Sequence, residues 1–119
     1  MLTTPLDRLV PADAAARLLA FRDAVCRAYP GLVRDIILFG SRARGDASTD
    51  SDYDVAVLLD AGVAEDSVVR RRIADAAWEH AADGYAITPI LLDADALTQA
   101  GRARSEVATR IALEGISIR

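Results

Sequence analysis

Two short clusters carry residue types that can do chemistry together: Gly40-Ser41, followed by Arg42 and Arg44, and Asp52-Tyr53-Asp54, separated from the serine by ten residues. Gly40 has no Cβ, so backbone N–H groups at that point can approach an anion closely. A short helical segment after the glycine would turn its positive end toward the same anion. Ser41 contributes a hydroxyl, and the guanidinium forks of Arg42 and Arg44 match phosphate oxygens in pairs. A nucleoside triphosphate suits such a turn. In the second cluster, residues i and i+2 of a strand project from one face about 6.6 Å apart, so Asp52 and Asp54 converge while Tyr53 points away. Two carboxylates so placed repel one another unless a cation lies between them. Hard oxygen donors in that arrangement suit Mg²⁺ or Mn²⁺ held jointly with substrate phosphates.

Either cluster alone is commonplace. Asp-x-Asp recurs at Asp50-Ser51-Asp52 and Asp93-Ala94-Asp95, and Gly-Ser is an ordinary turn. The weight lies in the order: an apolar run ending in Leu38-Phe39, the Gly-Ser turn, a polar loop, then a doublet that opens a second apolar run, Val55-Ala56-Val57-Leu58-Leu59.

The stretch from Asp35 to Asp60, with its G-S-x(10)-D-x-D pattern, resembles the signature of the minimal nucleotidyltransferases of the DNA polymerase beta-like nucleotidyltransferase superfamily. Tyr85-Ala86-Ile87-Thr88-Pro89-Ile90 and the terminal Glu114-Gly115-Ile116-Ser117-Ile118 are similar to small, antitoxin-like bacterial members. The resemblance implies that Gly40 and Ser41 hold the nucleoside triphosphate and that Asp52 and Asp54 bind catalytic magnesium. Arg44 stands where such relatives commonly carry a basic residue. It further implies transfer of AMP from ATP to a hydroxyl of a partner protein, with the chain acting as antitoxin to a HEPN-type ribonuclease toxin. The alternative is a nucleotide-binding antitoxin that neutralises its partner by contact alone.

One position departs from the superfamily pattern, which usually places a third carboxylate on the next strand. Alternation along Tyr85 to Leu92 puts Ala86, Thr88 and Ile90 on one face, making Thr88 the expected equivalent of that acid. Without a carboxylate there a two-metal scheme loses a ligand for one ion, while Asp52, Asp54 and phosphate oxygens could still hold the nucleotide-associated ion. Asp93, at the end of the same strand, is the candidate substitute.

The elements that must position these residues follow from spacing and punctuation. Pro11 opens a helix over 12–29, which Pro30-Gly31 ends. Strands are expected over 32–39, 53–59 and 85–92. Between the last two, a helix over 65–82 stacks Val69, Ile73, Ala76, Ala77 and His80, with Gly84 as its stop. Helical segments over 94–100 and 105–114 precede a short strand, 116–118. The expected fold is α+β, a small mixed β-sheet with helices packed on one side and the site at the open end of the first two strands. So small a fold builds no deep cleft, so the acceptor or a partner chain is expected to supply the second wall.

Composition bounds the classes. The 119 residues are 52% hydrophobic and 27% charged, the balance of a globular protein, and a single domain over 1–119 is expected. All 14 basic residues are arginine, and the net charge is −4. An acidic chain lacks the basic surface on which general nucleic-acid binding depends. No apolar run approaches the ~20 residues of a membrane-spanning helix, and the first residues lack a basic-then-apolar leader, so a cytoplasmic location is expected. Cys26 is expected as a core thiol and His80 in a packing or capping role. Arg70-Arg71-Arg72 reads as a solvated helix face, Trp78 as exposed, and Asp46 and Asp50 as turn residues.

Overall fold

The structure, a computed structural model, describes residues 5–81, 85–97 and 105–118. Its helices are α1 (Pro5–Leu9), α2 (Ala12–Ala28), α3 (Ser41–Arg44), α4 (Ser67–Glu79) and α5 (Glu106–Glu114); its strands are β1 (Val33–Phe39), β2 (Tyr53–Leu59), β3 (Ile87–Asp93) and β4 (Ile116–Ser117). Two 3-10 turns, Val63–Glu65 and Ala94–Leu97, complete the order.

Local chemistry accounts for where these elements begin. The Asp66 carboxylate caps α4 by accepting the N–H groups of Val68 and Val69 at 2.8 and 3.1 Å. Such a cap typically contributes about 1 kcal/mol. Ser105 caps α5 in the same way, through the N–H of Ala108. At the far end of α4, His80 is the C-cap residue and its Nδ1 lies 2.8 Å from the Ala76 carbonyl, the expected capping role.

The sheet order is β3-β2-β1-β4. β1 runs antiparallel to both β2 and β4, whereas β2 and β3 are parallel and need the α4 crossover between them. Alternation then sorts the side chains. Ile36, Leu38, Tyr53, Val55, Val57, Leu59 and Ile87 face a large core closed by Leu6 of α1, Leu18, Phe21 and Val25 of α2, and Val69, Ile73 and Ala77 of α4. Ile37, Phe39, Ala56 and Leu58 face the other way, into a small core with Ile111 of α5, flanked by Ile90, Leu92, Leu97 and Val107.

The α+β class with a mixed open sheet is as expected, but α5 lies across the sheet from the other helices. Its apolar residues can reach only the second face, because β4 pairs along the outer edge of β1 and holds the end of α5 there. The helix α1 was not anticipated. The segment expected to be helical over 94–100 is a 3-10 turn as far as Leu97; its remainder, and Gly84 as a stop, lie outside the described residues. Cys26 is exposed rather than buried. The buried stripe of α2 runs through Ala14, Ala15, Leu18, Phe21 and Val25, and one further residue turns the chain ~100° out of it. Trp78 is exposed, at 84%. No helix among the described residues is long and apolar enough to cross a membrane.

Candidate active site

β1 ends at Phe39, directly opposite Asp54, and Gly40 turns the chain into α3. Gly40 adopts φ 79° and ψ −159°, a conformation essentially restricted to glycine. There is a second reason for glycine: a Cβ at this position would lie 2.5 Å from Asp54 Oδ2. The turn and the carboxylate are therefore packed against each other, and any side chain at residue 40 would drive Asp54 away. The Gly40 carbonyl accepts the N–H groups of Ala43 and Arg44, each at 3.0 Å, closing the turn that Ser41 opens.

Asp54 is half-buried and Asp52 exposed, while Tyr53 between them is buried in the large core, the alternation expected of the doublet. Burial pushes the Asp54 carboxyl above its ordinary 3.8, and the neighbouring charge of Asp52 adds to the rise, against the opposing pull of Arg110 and Arg44. A divalent cation between the two carboxylates would relieve that repulsion. Among the described residues no group of three or more acidic, histidine or cysteine side chains gathers into a metal site. Two carboxylates supply only part of a cation's oxygen shell, so phosphate and water would have to complete it.

Thr88 pairs with Asp54 across the parallel strands and donates its hydroxyl to Asp52 Oδ2 at 3.3 Å. It stands where alternation put it. Asp93 does not substitute for a third acid. It pairs with Leu59, five registers beyond Thr88, and at about 3.3 Å per residue is roughly 16 Å away.

The two arginines differ. Arg44 faces the turn: its Nη1 donates to both oxygens of Glu114 at 3.0 and 3.1 Å, and its Nε to Asp46 at 3.1 Å. Those hydrogen bonds, Glu114 first, raise its pKa further. Arg42 faces the loop before the doublet, where it donates to the Ser51 carbonyl at 2.9 and 3.2 Å and lies 4.4 Å over the Tyr53 ring. Its guanidinium is engaged in holding that loop, which departs from the expectation of a phosphate contact; a cation stacked on an aromatic ring and bonded to carbonyls has few donors left to offer.

Glu114, at the end of α5, was missed. Its Oε1 accepts the Gly40 N–H at 3.1 Å, across 74 residues of sequence. No local spacing connects it to the turn, and only the pairing of β4 with β1 brings it there.

A family model described as "Nucleotidyltransferase domain" matches residues 18–96. The chain belongs to that family. No curated protein matches it. Among solved structures, a toxin-antitoxin crystallised with AMP-PNP is similar at a TM-score of 0.57 and 19% identity, covering 88% of this chain and 72% of that one. A provisionally assigned nucleotidyltransferase from Sulfolobus solfataricus is similar at a TM-score of 0.55 and 17% identity, covering 98% and 87%. At these identities the likeness is one of fold.

Proposed function

We propose that this chain transfers AMP from ATP to a hydroxyl of a partner protein, as the antitoxin of a HEPN-type toxin pair. The observation that carries the reading is the packing of Asp54 Oδ2 against Gly40: a metal-binding carboxylate and a phosphate-cradling turn are one unit, so a metal-bound triphosphate can engage both at once. The family supports nucleotidyl transfer. The neighbour crystallised as a toxin-antitoxin with AMP-PNP supports a toxin as partner and an adenine nucleotide as substrate.

In the proposed reaction the partner's hydroxyl oxygen bonds to the α-phosphorus of ATP as the bond from that phosphorus to the bridging oxygen of the β-phosphate breaks. Pyrophosphate leaves, and the hydroxyl proton passes to solvent at the open rim. Gly40 and Ser41 seat the phosphates, with Arg44 balancing their charge. Asp52 and Asp54 would hold Mg²⁺, or Mn²⁺, whose charge would offset that growing on the phosphate oxygens. Thr88 orients Asp52 through its hydroxyl. Arg42 holds the loop that delivers the doublet.

Thr88 in place of a carboxylate favours a second reading, in which the nucleotide site is weak and the chain silences its partner by binding. Incubation with the partner, ATP and Mg²⁺ separates the two. Intact mass spectrometry is expected to find one or more AMP-sized increments on the partner, lost with Asp52→Asn. Inhibition without any mass change, equally strong with Asp52→Asn, would leave contact as the mechanism.

A further inference from the structure

The end of α5 is pinned against β1 twice. A Cβ on Gly115 would clash with the Ile111 carbonyl and lie 2.5 Å from Ile37 Cγ2, so the helix end and the strand approach as closely as glycine permits. Immediately beyond, Ile116 and Ser117 pair with Leu38 and Ile37, and the Ile118 N–H donates to the Ile36 carbonyl at 2.8 Å. Glu114, one residue before the glycine, is thereby delivered to the Gly-Ser turn.

There its carboxylate is treated as a bound anion. Oε1 accepts the Gly40 N–H at 3.1 Å, and both oxygens accept Nη1 of Arg44 at 3.0 and 3.1 Å. Arg110 Nε lies 3.8 Å from Oε1, one helical turn back. The side chain is 17% exposed. Within the helix only the Arg110 pair favours this placement, and a negative charge in the last turn opposes the helix dipole. The carboxylate also lies close enough to Asp54 to help raise its pKa. What holds Glu114 is the same backbone N–H and the same guanidinium that the proposed function assigns to a nucleotide phosphate.

We infer that Glu114 is a built-in anion seated in the phosphate cradle, and that a polyphosphate must displace it to bind. The inference rests on the nucleotide reading of this site and adds its regulation. The single Gly40 N–H cannot serve a carboxylate and a phosphate together, Arg44 already spends Nη1 on Glu114 and Nε on Asp46, and the repulsion between the two anions adds to the competition. The apparent affinity of the cradle is then the intrinsic affinity reduced by the fraction of molecules in which Glu114 has swung out. Any event that draws Glu114 or the end of α5 away, such as a partner docking there, would open the site.

The test is calorimetry on the full chain in Mg²⁺, with tripolyphosphate, ATP and adenosine as probes and circular dichroism as the check on folding. Glu114→Gln keeps the shape and removes the charge; Glu114→Ala removes both. Both variants are expected to bind tripolyphosphate and ATP about tenfold more tightly, with adenosine unchanged. Wild-type binding that is unchanged or weakened in both variants would overturn the inference, leaving Glu114 as a positioning residue for Arg44 and the nucleotide reading intact. Absence of binding by wild type and variants alike would remove the nucleotide reading, and this inference with it. Should the variants not fold, the ¹³C carboxyl resonance of Glu114 decides in the wild type. It is expected to move as tripolyphosphate saturates the site, and a resonance that stays in place would overturn the displacement.

Discussion

One face of the sheet is sealed under α1, α2 and α4 by Leu6, Leu18, Phe21, Val25 and Ile73, whereas among the described residues the other carries α5 and a 3-10 turn and leaves Asp52 exposed and Asp54 half-buried at the start of β2. The acidic part of the candidate site lies on the thinly covered face: Asp54 and Thr88 by strand alternation, Asp52 through its hydrogen bond from Thr88, and Glu114 from α5. The division of labour is physical. The closed face supplies the buried apolar area that holds the sheet together. The open face can then afford two like charges in proximity, an arrangement that lowers stability locally and is useful only toward a cation and a polyphosphate.

Substitutions on the two faces are expected to have opposite signatures. Replacing both Asp52 and Asp54 by Asn should lower AMP transfer by roughly a thousandfold or more, since the metal's share of transition-state stabilisation is several kcal/mol. The fold should be intact, and a cooperative melt alongside the mass assay checks both points. On the closed face, Phe21→Ala should cost about 3–5 kcal/mol of stability through the cavity it leaves. That corresponds to a fall in Tm of roughly 15 °C. A double Asn variant that unfolds would break the comparison.

Gly40→Ala sits where the faces meet. The backbone conformation alone costs a side chain of order 1–3 kcal/mol, and the new Cβ displaces Asp54. Both stability and Mg²⁺-dependent ATP binding should fall, the latter about tenfold or more. Calorimetry with and without Mg²⁺ is the measurement, and an alanine variant that binds Mg·ATP normally would separate the turn from the carboxylate.

Thr88 and Asp93 sharpen the contrast within a single strand. Thr88→Asp would place a third carboxylate beside Asp52 and should raise the transfer rate about tenfold, the equivalent of ~1.4 kcal/mol. Asp93→Asn, five registers away, should change the rate by less than about twofold. Initial rates over a Mg²⁺ titration distinguish these outcomes, and a large loss in Asp93→Asn would contradict the strand register.

The smallest effect concerns pH. Asp54 has its pKa pushed above 3.8 by burial and by Asp52, so the folded chain holds this proton more tightly than the unfolded one. The stability it contributes is therefore complete below 3.8 and is lost as pH rises through the raised value. Asp54→Asn escapes that loss. Without metal it should be the more stable protein at neutral pH, by no more than about 1 kcal/mol because the carboxylates face solvent. The advantage should fade toward pH 4 in paired thermal melts.

What could be read along the chain was what is local. The Gly-Ser turn, the same-face relation of Asp52 and Asp54, the inward Tyr53 and the position of Thr88 depend on residues within a few places of one another and on the period of two in a strand. The bounds of β2 and the mixed sheet followed likewise. The side of the sheet that α5 covers was not legible, nor were the loop-directed pose of Arg42, the exposure of Cys26 or the distance of Asp93 from the site. Each depends on which surface a segment meets after folding. Glu114 is the clearest case. Its own neighbourhood reads as an ordinary helix end, and it joins the Gly40 turn only because β4 pairs with the outer edge of β1 and Gly115 lets the helix lie against it. Short-range geometry is dictated by covalent spacing and so is written in the sequence, whereas the meeting of residues 74 apart is a choice among pairings that only the assembled sheet makes.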